Sequence, residues 1–115
     1  MKTPCKARIT TEYRVEYESP IEVAAGERVR LGREDSEFLG WKWCEALDGH
    51  AGWVPVEFLS EEGAEATVRQ DYSARELAVQ PGEEVMVEDA RHEWLLVRNA
   101  RGERGWIPAS HAQAL

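Results

Sequence analysis

Apolar and polar residues alternate over short runs along this chain, and glycine, proline or acidic clusters break each run. Val29 and Leu31 alternate with Arg28 and Arg30, and Trp41-Lys42-Trp43-Cys44-Glu45-Ala46 continues the habit. A period of two belongs to a strand with one face buried. Residues 7–13, rich in β-branched side chains, predict a first strand, and residues 21–23 a short returning one. Residues 51–54 follow Asp48-Gly49, a strong hairpin signal. Pro55 ends that strand because it has no N–H to donate, and Val56-Glu57-Phe58 fits a single 3₁₀ turn. The order then returns: strands over 67–72, 77–79 and 85–87, a loop over 88–93, a hairpin from 94–98 and 104–107, and a helical turn over 108–111. No stretch of about ten residues carries a helical period free of Gly or Pro, so the pattern predicts an all-β protein.

The return is a repeat. Gly49-His50-Ala51-Gly52-Trp53-Val54-Pro55 comes back as Gly102-Glu103-Arg104-Gly105-Trp106-Ile107-Pro108. Trp41 and Trp94 stand at the same distance ahead of Pro55 and Pro108. Ala25-Gly26-Glu27 matches Pro81-Gly82-Glu83 further upstream. A repeat overrides the one-domain reading that 115 residues would otherwise suggest. The boundaries it predicts are a tail over 1–6, one module over 7–62, a linker over 63–65 and a second module over 66–115. Modules of roughly 50–60 residues sit near the lower size limit for independent folding.

Composition removes several classes of function. Fourteen basic residues against 22 acidic ones leave a net charge of −8, which argues against a nucleic-acid surface and suits a basic partner. Two cysteines make neither a disulfide framework nor a zinc pattern. The first residues lack the apolar core of a signal peptide and no run is long enough to span a bilayer, so a cytoplasmic protein without membrane contact is expected. His50, His92 and His111 lie apart, and no nucleophile–base set or phosphate loop is visible. The expectation is a monomer without metal, cofactor or catalytic residues. Cys44 aligns with Val97 and is expected in the core.

In both halves these landmarks resemble the Src homology 3 (SH3) family, most of all short bacterial tandem proteins carrying variant SH3 domains. Glu12-Tyr13 and Asp71-Tyr72 match the family's opening strand. Ile21-x-Val23-x-x-Gly26-Glu27 and Leu77-x-Val79-x-x-Gly82-Glu83 match the return of its long RT loop. The runs from Gly52 to Phe58 and from Gly105 to His111 match its closing segment. The resemblance implies two small five-stranded barrels in tandem with a short junction. It also implies a non-enzymatic module that binds proline-rich or extended peptides. A polyproline II segment is already extended and loses little entropy when it docks between aromatic rings.

Carried over by position, the first copy offers Tyr13, Trp41, Pro55 and Phe58, with Trp53 flanking and Glu16 and Glu18 placed to pair with a ligand cation. The second offers Tyr72, Trp94, Trp106 and Pro108, with His111 at the last aromatic position. Thr11 and Gln70 replace the first Tyr of the family's opening motif, which removes one wall of a proline slot in each copy. The second RT loop is shorter and carries Arg75, with Glu76 the remnant of its acids. Ordinary proline-peptide binding is therefore expected of the first copy more than of the second, which either serves as a packing partner or shares one ligand with the first. Trp41 is expected in an open groove, so that Trp41→Ala should weaken binding and spare the fold. The alternatives are a cell-wall or glycan-binding module, and an accessory subunit of an enzyme whose grooves are empty or blocked.

Overall fold

The computed structural model describes residues 2–16 and 19–115. Its strands are β1 (Cys5–Ile9), β2 (Glu22–Val23), β3 (Arg28–Glu34), β4 (Trp41–Ala46), β5 (Ala51–Pro55), β6 (Leu59–Glu62), β7 (Glu65–Val68), β8 (Tyr72–Ser73), β9 (Glu84–Arg91), β10 (Trp94–Arg98), β11 (Arg104–Pro108) and β12 (Ala112–Ala114). Single 3₁₀ turns, Val56–Phe58 and Ala109–His111, follow β5 and β11. The all-β expectation holds, and both turns lie where the prolines predict.

The two compact units are not the two stretches of sequence that repeat. One is continuous, Tyr17–Arg75; the other joins Met1–Glu16 to Glu76–Leu115. The expected limits of 7–62 and 66–115 therefore describe the repeat along the chain but not its division in space. In the continuous unit the sheet order is β5-β4-β3-β7-β6; in the discontinuous unit it is β11-β10-β9-β1-β12. Each sheet takes its second-from-edge strand, β7 or β1, from the opening of the other repeat.

The reason lies in residues 62–65, which take in the expected linker over 63–65. Glu62 pairs with Glu65, leaving only Gly63-Ala64 as the turn of a β6–β7 hairpin. Gly63 has φ +63° and Ala64 has no positive φ, the pattern of a type II′ turn whose twist matches that of the strands. So short a turn lays β7 beside the strand it has just left, Leu59 against Val68. The place next to β6 is then filled, and the chain's own first strand closes the other sheet. There β1 pairs with β12, Ala7 to Ala114, and with β9, Ala7 to Val85.

Backbone bonds reproduce the exchange in matched pairs. Val68 receives a bond from Gly26 N–H (2.7 Å) and donates to Glu27 O (2.8 Å). Ile9, its counterpart, receives from Gly82 N–H and donates to Glu83 O, both at 2.8 Å. The discontinuous core gathers Ala7, Ile9 and Tyr13 with Leu77, Val79, Val85, Val87, Leu95, Val97 and Ile107. The buried apolar residues of the continuous unit include Ile21, Val29, Cys44, Val54, Ala66 and Val68. Cys44 is fully buried, as expected of a small core residue.

Candidate functional site

The exchange regroups the aromatic residues. Tyr13 does not join Trp41 and Phe58; it belongs to the discontinuous unit. Its ring stands edge-on to Trp94 (centroids 5.8 Å, 83°) and to His111 (5.6 Å, 85°). Tyr72 in turn belongs to the continuous unit, edge-on to Phe58 at 5.5 Å and 73°. The Tyr72 hydroxyl donates to Trp53 O at 2.7 Å. The sets to consider are therefore Tyr13, Trp94, Trp106, Pro108 and His111 in one unit, and Tyr72, Trp41, Trp53, Pro55 and Phe58 in the other.

Antiparallel pairing positions each set. Trp94 faces Pro108 across β10 and β11, and Trp41 faces Pro55 across β4 and β5. The approach to each Trp differs. In the discontinuous unit β9 continues to Arg91, and the turn is only His92-Glu93, both at positive φ (44° and 71°). The expected loop over 88–93 is thus mostly strand. In the continuous unit residues 35–40 intervene, folded by Asp35 Oδ1, which accepts from Glu37 N–H (2.9 Å) and Phe38 N–H (3.4 Å). A two-residue turn extends less far past the ring that follows it.

Exposure follows the same division. Trp94 is half-buried, whereas Trp41 retains 4% exposure, which corrects the expectation of an open ring there. Tyr13, Tyr72, Phe58, Trp106, Pro55 and Pro108 are also buried, and Trp53 is half-buried. A buried Trp packs on all sides, so Trp41→Ala is a fold-breaking change of about 3–5 kcal/mol rather than a clean probe of binding.

The acids have separate fates. Glu16 is exposed, and its backbone N–H donates to Glu76 Oε1 at 2.8 Å. Glu76 is itself buried, so the acid remnant of the second RT loop serves the backbone. Glu18 lies outside the described residues. Glu12, beside Tyr13, accepts from Gln80 Nε2 (3.0 Å) and Arg14 Nε (3.2 Å). The Gln80 bond first, then the Arg14 bond and charge, hold its carboxyl below the usual range. Sequence reasoning placed no role on Glu12 or Gln80; their pairing spans the exchange and no local signal reports it. Burial raises the Cys44 thiol to about 12, which leaves it protonated and inert. Among the described residues no group of three His, Cys, Asp or Glu side chains could hold a metal ion.

A variant SH3 domain model matches residues 6–62, and an SH3 domain model matches residues 70–109. The chain belongs to the SH3 family. It is a tandem of SH3 domains, and such domains are in general non-catalytic modules that bind peptide segments of other proteins. No curated protein and no solved structure matches it. Both family matches run along consecutive sequence, so neither reports the strand exchange.

Proposed function

We propose that this SH3 tandem is a non-enzymatic adaptor that binds an extended, proline-containing segment of a partner protein through the groove of its discontinuous unit. The observation that carries this reading is the half-buried Trp94, set edge-on to Tyr13 and opposite Pro108. Ridges of a polyproline II helix fit between rings held in this way. Groove binding thus moves from the first repeat to the unit that contains most of the second. Glu12, next to Tyr13 in sequence, and the exposed Glu16 are carboxylates that the first repeat brings to this unit, which suits a ligand with a basic residue beside the prolines.

The buried Trp41 and Tyr72 favour a different role for the continuous unit, in which its SH3 rings act as packing. This is the accessory-subunit reading restricted to one unit.

The test is a titration with a proline-rich decapeptide carrying one terminal arginine, followed through the five indole N–H resonances. The Trp94 resonance should move and saturate, and Trp94→Ala should abolish binding while the remaining spectrum stays dispersed. Movement of other indoles with Trp94 unmoved would refute the assignment. No movement at all would refute proline-peptide binding.

A further inference from the structure

We propose that copies of this chain associate through the outer faces of their sheets, a basic cross-strand row on the discontinuous unit of one copy docking on an acidic row of the continuous unit of another. The proposal does not rest on peptide binding at Trp94, since Arg98 stands at the opposite end of β10 from that ring.

Strand register defines the two rows. In the discontinuous sheet Arg104 faces Arg98, Arg98 faces Met86 and Met86 faces Lys6, across β11, β10, β9 and β1. In the continuous sheet Glu62 faces Glu65, Glu65 faces Arg30 and Arg30 faces Glu45, across β6, β7, β3 and β4. Their neighbours along the strands, among them Ala7, Val97, Val29 and Ala66, are buried. Side chains alternate between faces along a strand, so both rows lie on the outside. Lys6 and Glu65 hold equivalent places in the repeat, as do Arg98 and Glu45. The same part of the SH3 surface is therefore basic on one unit and acidic on the other.

Each row contains two like charges directly opposed across neighbouring strands, an arrangement that by itself destabilises a sheet. Arg98 and Arg104 share one carboxylate, Glu88, at 3.6 and 2.7 Å. Glu62 and Glu65 share one guanidinium, Arg28, at 3.4 and 2.8 Å. Half of each pair thus lacks a counter-ion within its own unit. Lys6 makes no ion pair among the described residues. The side chains remain open to solvent, Arg98 at 49% and Arg104 at 58%, Glu62 at 69% and Glu65 at 58%.

Charge complementarity selects a second copy as the occupant. Strands lie about 4.8 Å apart in both sheets, so the rows match step for step when laid face to face. Arg104 then meets Glu62, Arg98 meets Glu65 and Lys6 meets Glu45. Between them Met86 meets Arg30, whose aliphatic stem suits a thioether. The units as wholes agree with the rows. The continuous unit holds thirteen acidic residues against six basic ones, whereas the discontinuous unit holds nine against eight. Each copy carries one row of each sign, so the contact is heterologous and a copy engaged through one row still presents the other. The expected monomer is then the form present at high salt.

The experiment is sedimentation equilibrium of the full chain at up to about 1 mM, the range in which weak contacts are read. At low salt the weight-average mass should rise with concentration above 13.1 kDa, and in about 1 M salt, where the screening length falls to about 3 Å, it should return to 13.1 kDa. Lys6→Glu with Arg98→Glu leaves two acidic rows, and Glu45→Lys with Glu65→Lys leaves two basic ones. Each double variant alone should associate about 10-fold more weakly or worse, since an exposed pair is worth about 1.5- to 5-fold and here two attractions become repulsions. Mixed in equal amounts, the two should recover association, which also shows that both are folded. Arg69→Glu with Arg75→Glu changes net charge as the first pair does, at exposed positions outside the rows, and should still associate. A wild-type mass of 13.1 kDa at low salt would overturn the proposal. So would a mixture that stays monomeric, or an equal loss in the Arg69 and Arg75 variant, which would reduce the effect to bulk charge.

Discussion

Ile9 tests the strand exchange most directly. It stands in the first repeat of the sequence, yet it packs in the core that contains Val85, Val87, Leu95, Val97 and Ile107. It is 1% exposed. Ile9→Val removes one buried methylene, about 0.8 kcal/mol of transfer free energy, and with partial relaxation the cost is about 0.5–1.5 kcal/mol. Ile9→Ala removes three carbons, about 2.4 kcal/mol of transfer alone, and the cavity brings the cost to about 2–5 kcal/mol. Against a total of about 5–15 kcal/mol that is a large share. The assay is a pair of amide spectra with native-state hydrogen exchange. Ile9→Val, still folded, should shift Leu95, Val97 and Ile107 amides, with Val29, Cys44 and Val54 unmoved. Ile9→Ala should lower protection first in β9–β11. Val68→Ala should do the reverse, at Val29 and Val54. Ile9→Val shifts centred on Val29 and Val54 would mean that each repeat keeps its own opening strand, and the argument from the two-residue turn would fail.

Further predictions concern local features. Gly105→Ala should cost about 2–3 kcal/mol, because its Cβ would lie 2.6 Å from Glu76 C and 2.7 Å from Leu77 N, backbone atoms that cannot rotate away. Gly52→Ala, whose nearest neighbour is Ile21 Cγ2 at 3.0 Å, should cost less; thermal melts in the opposite order would contradict this. Glu93→Gly should stabilise by about 1 kcal/mol in denaturant titration by relieving a left-handed residue, φ 71°; a lower midpoint would contradict this. The Cys44 thiol is raised from 9.0 to about 12 by burial first, so its protonated state favours the fold fully below pH 9 and that contribution fades as pH rises towards 12. In the native protein at pH 8 a thiol reagent should modify Cys5 and spare Cys44; equal rates would refute the burial of Cys44.

Alternation, turns and prolines made the all-β class and most strands legible. Val56–Phe58 lies where Pro55 predicts it, and Trp41–Ala46 keeps its expected limits. What stayed hidden was which strand joins which sheet, because Ile9 and Val68 occupy equivalent positions and either could satisfy either partner. The deciding signal was Glu62-Gly63-Ala64-Glu65, a two-residue turn between strand-forming stretches whose acidic composition looks like a linker. The aromatic sets were misgrouped for that same reason. The burial of Trp41 was illegible on other grounds: a Trp that opens a strand reads alike beside a six-residue loop and beside a two-residue turn, and only coordinates separate 4% exposure from a half-buried ring.

The hairpin at Gly63 also sets a timetable for synthesis. By the time Arg75 has left the ribosome, every strand of the continuous unit exists and that unit can close. The discontinuous sheet requires Cys5–Ile9, made before every strand of the continuous unit, and Ala112–Ala114, made after all of them. A nascent chain must therefore hold Ala7 and Ile9 unsatisfied while a whole SH3 unit forms behind them, which leaves that early strand exposed to misassociation until β12 is made.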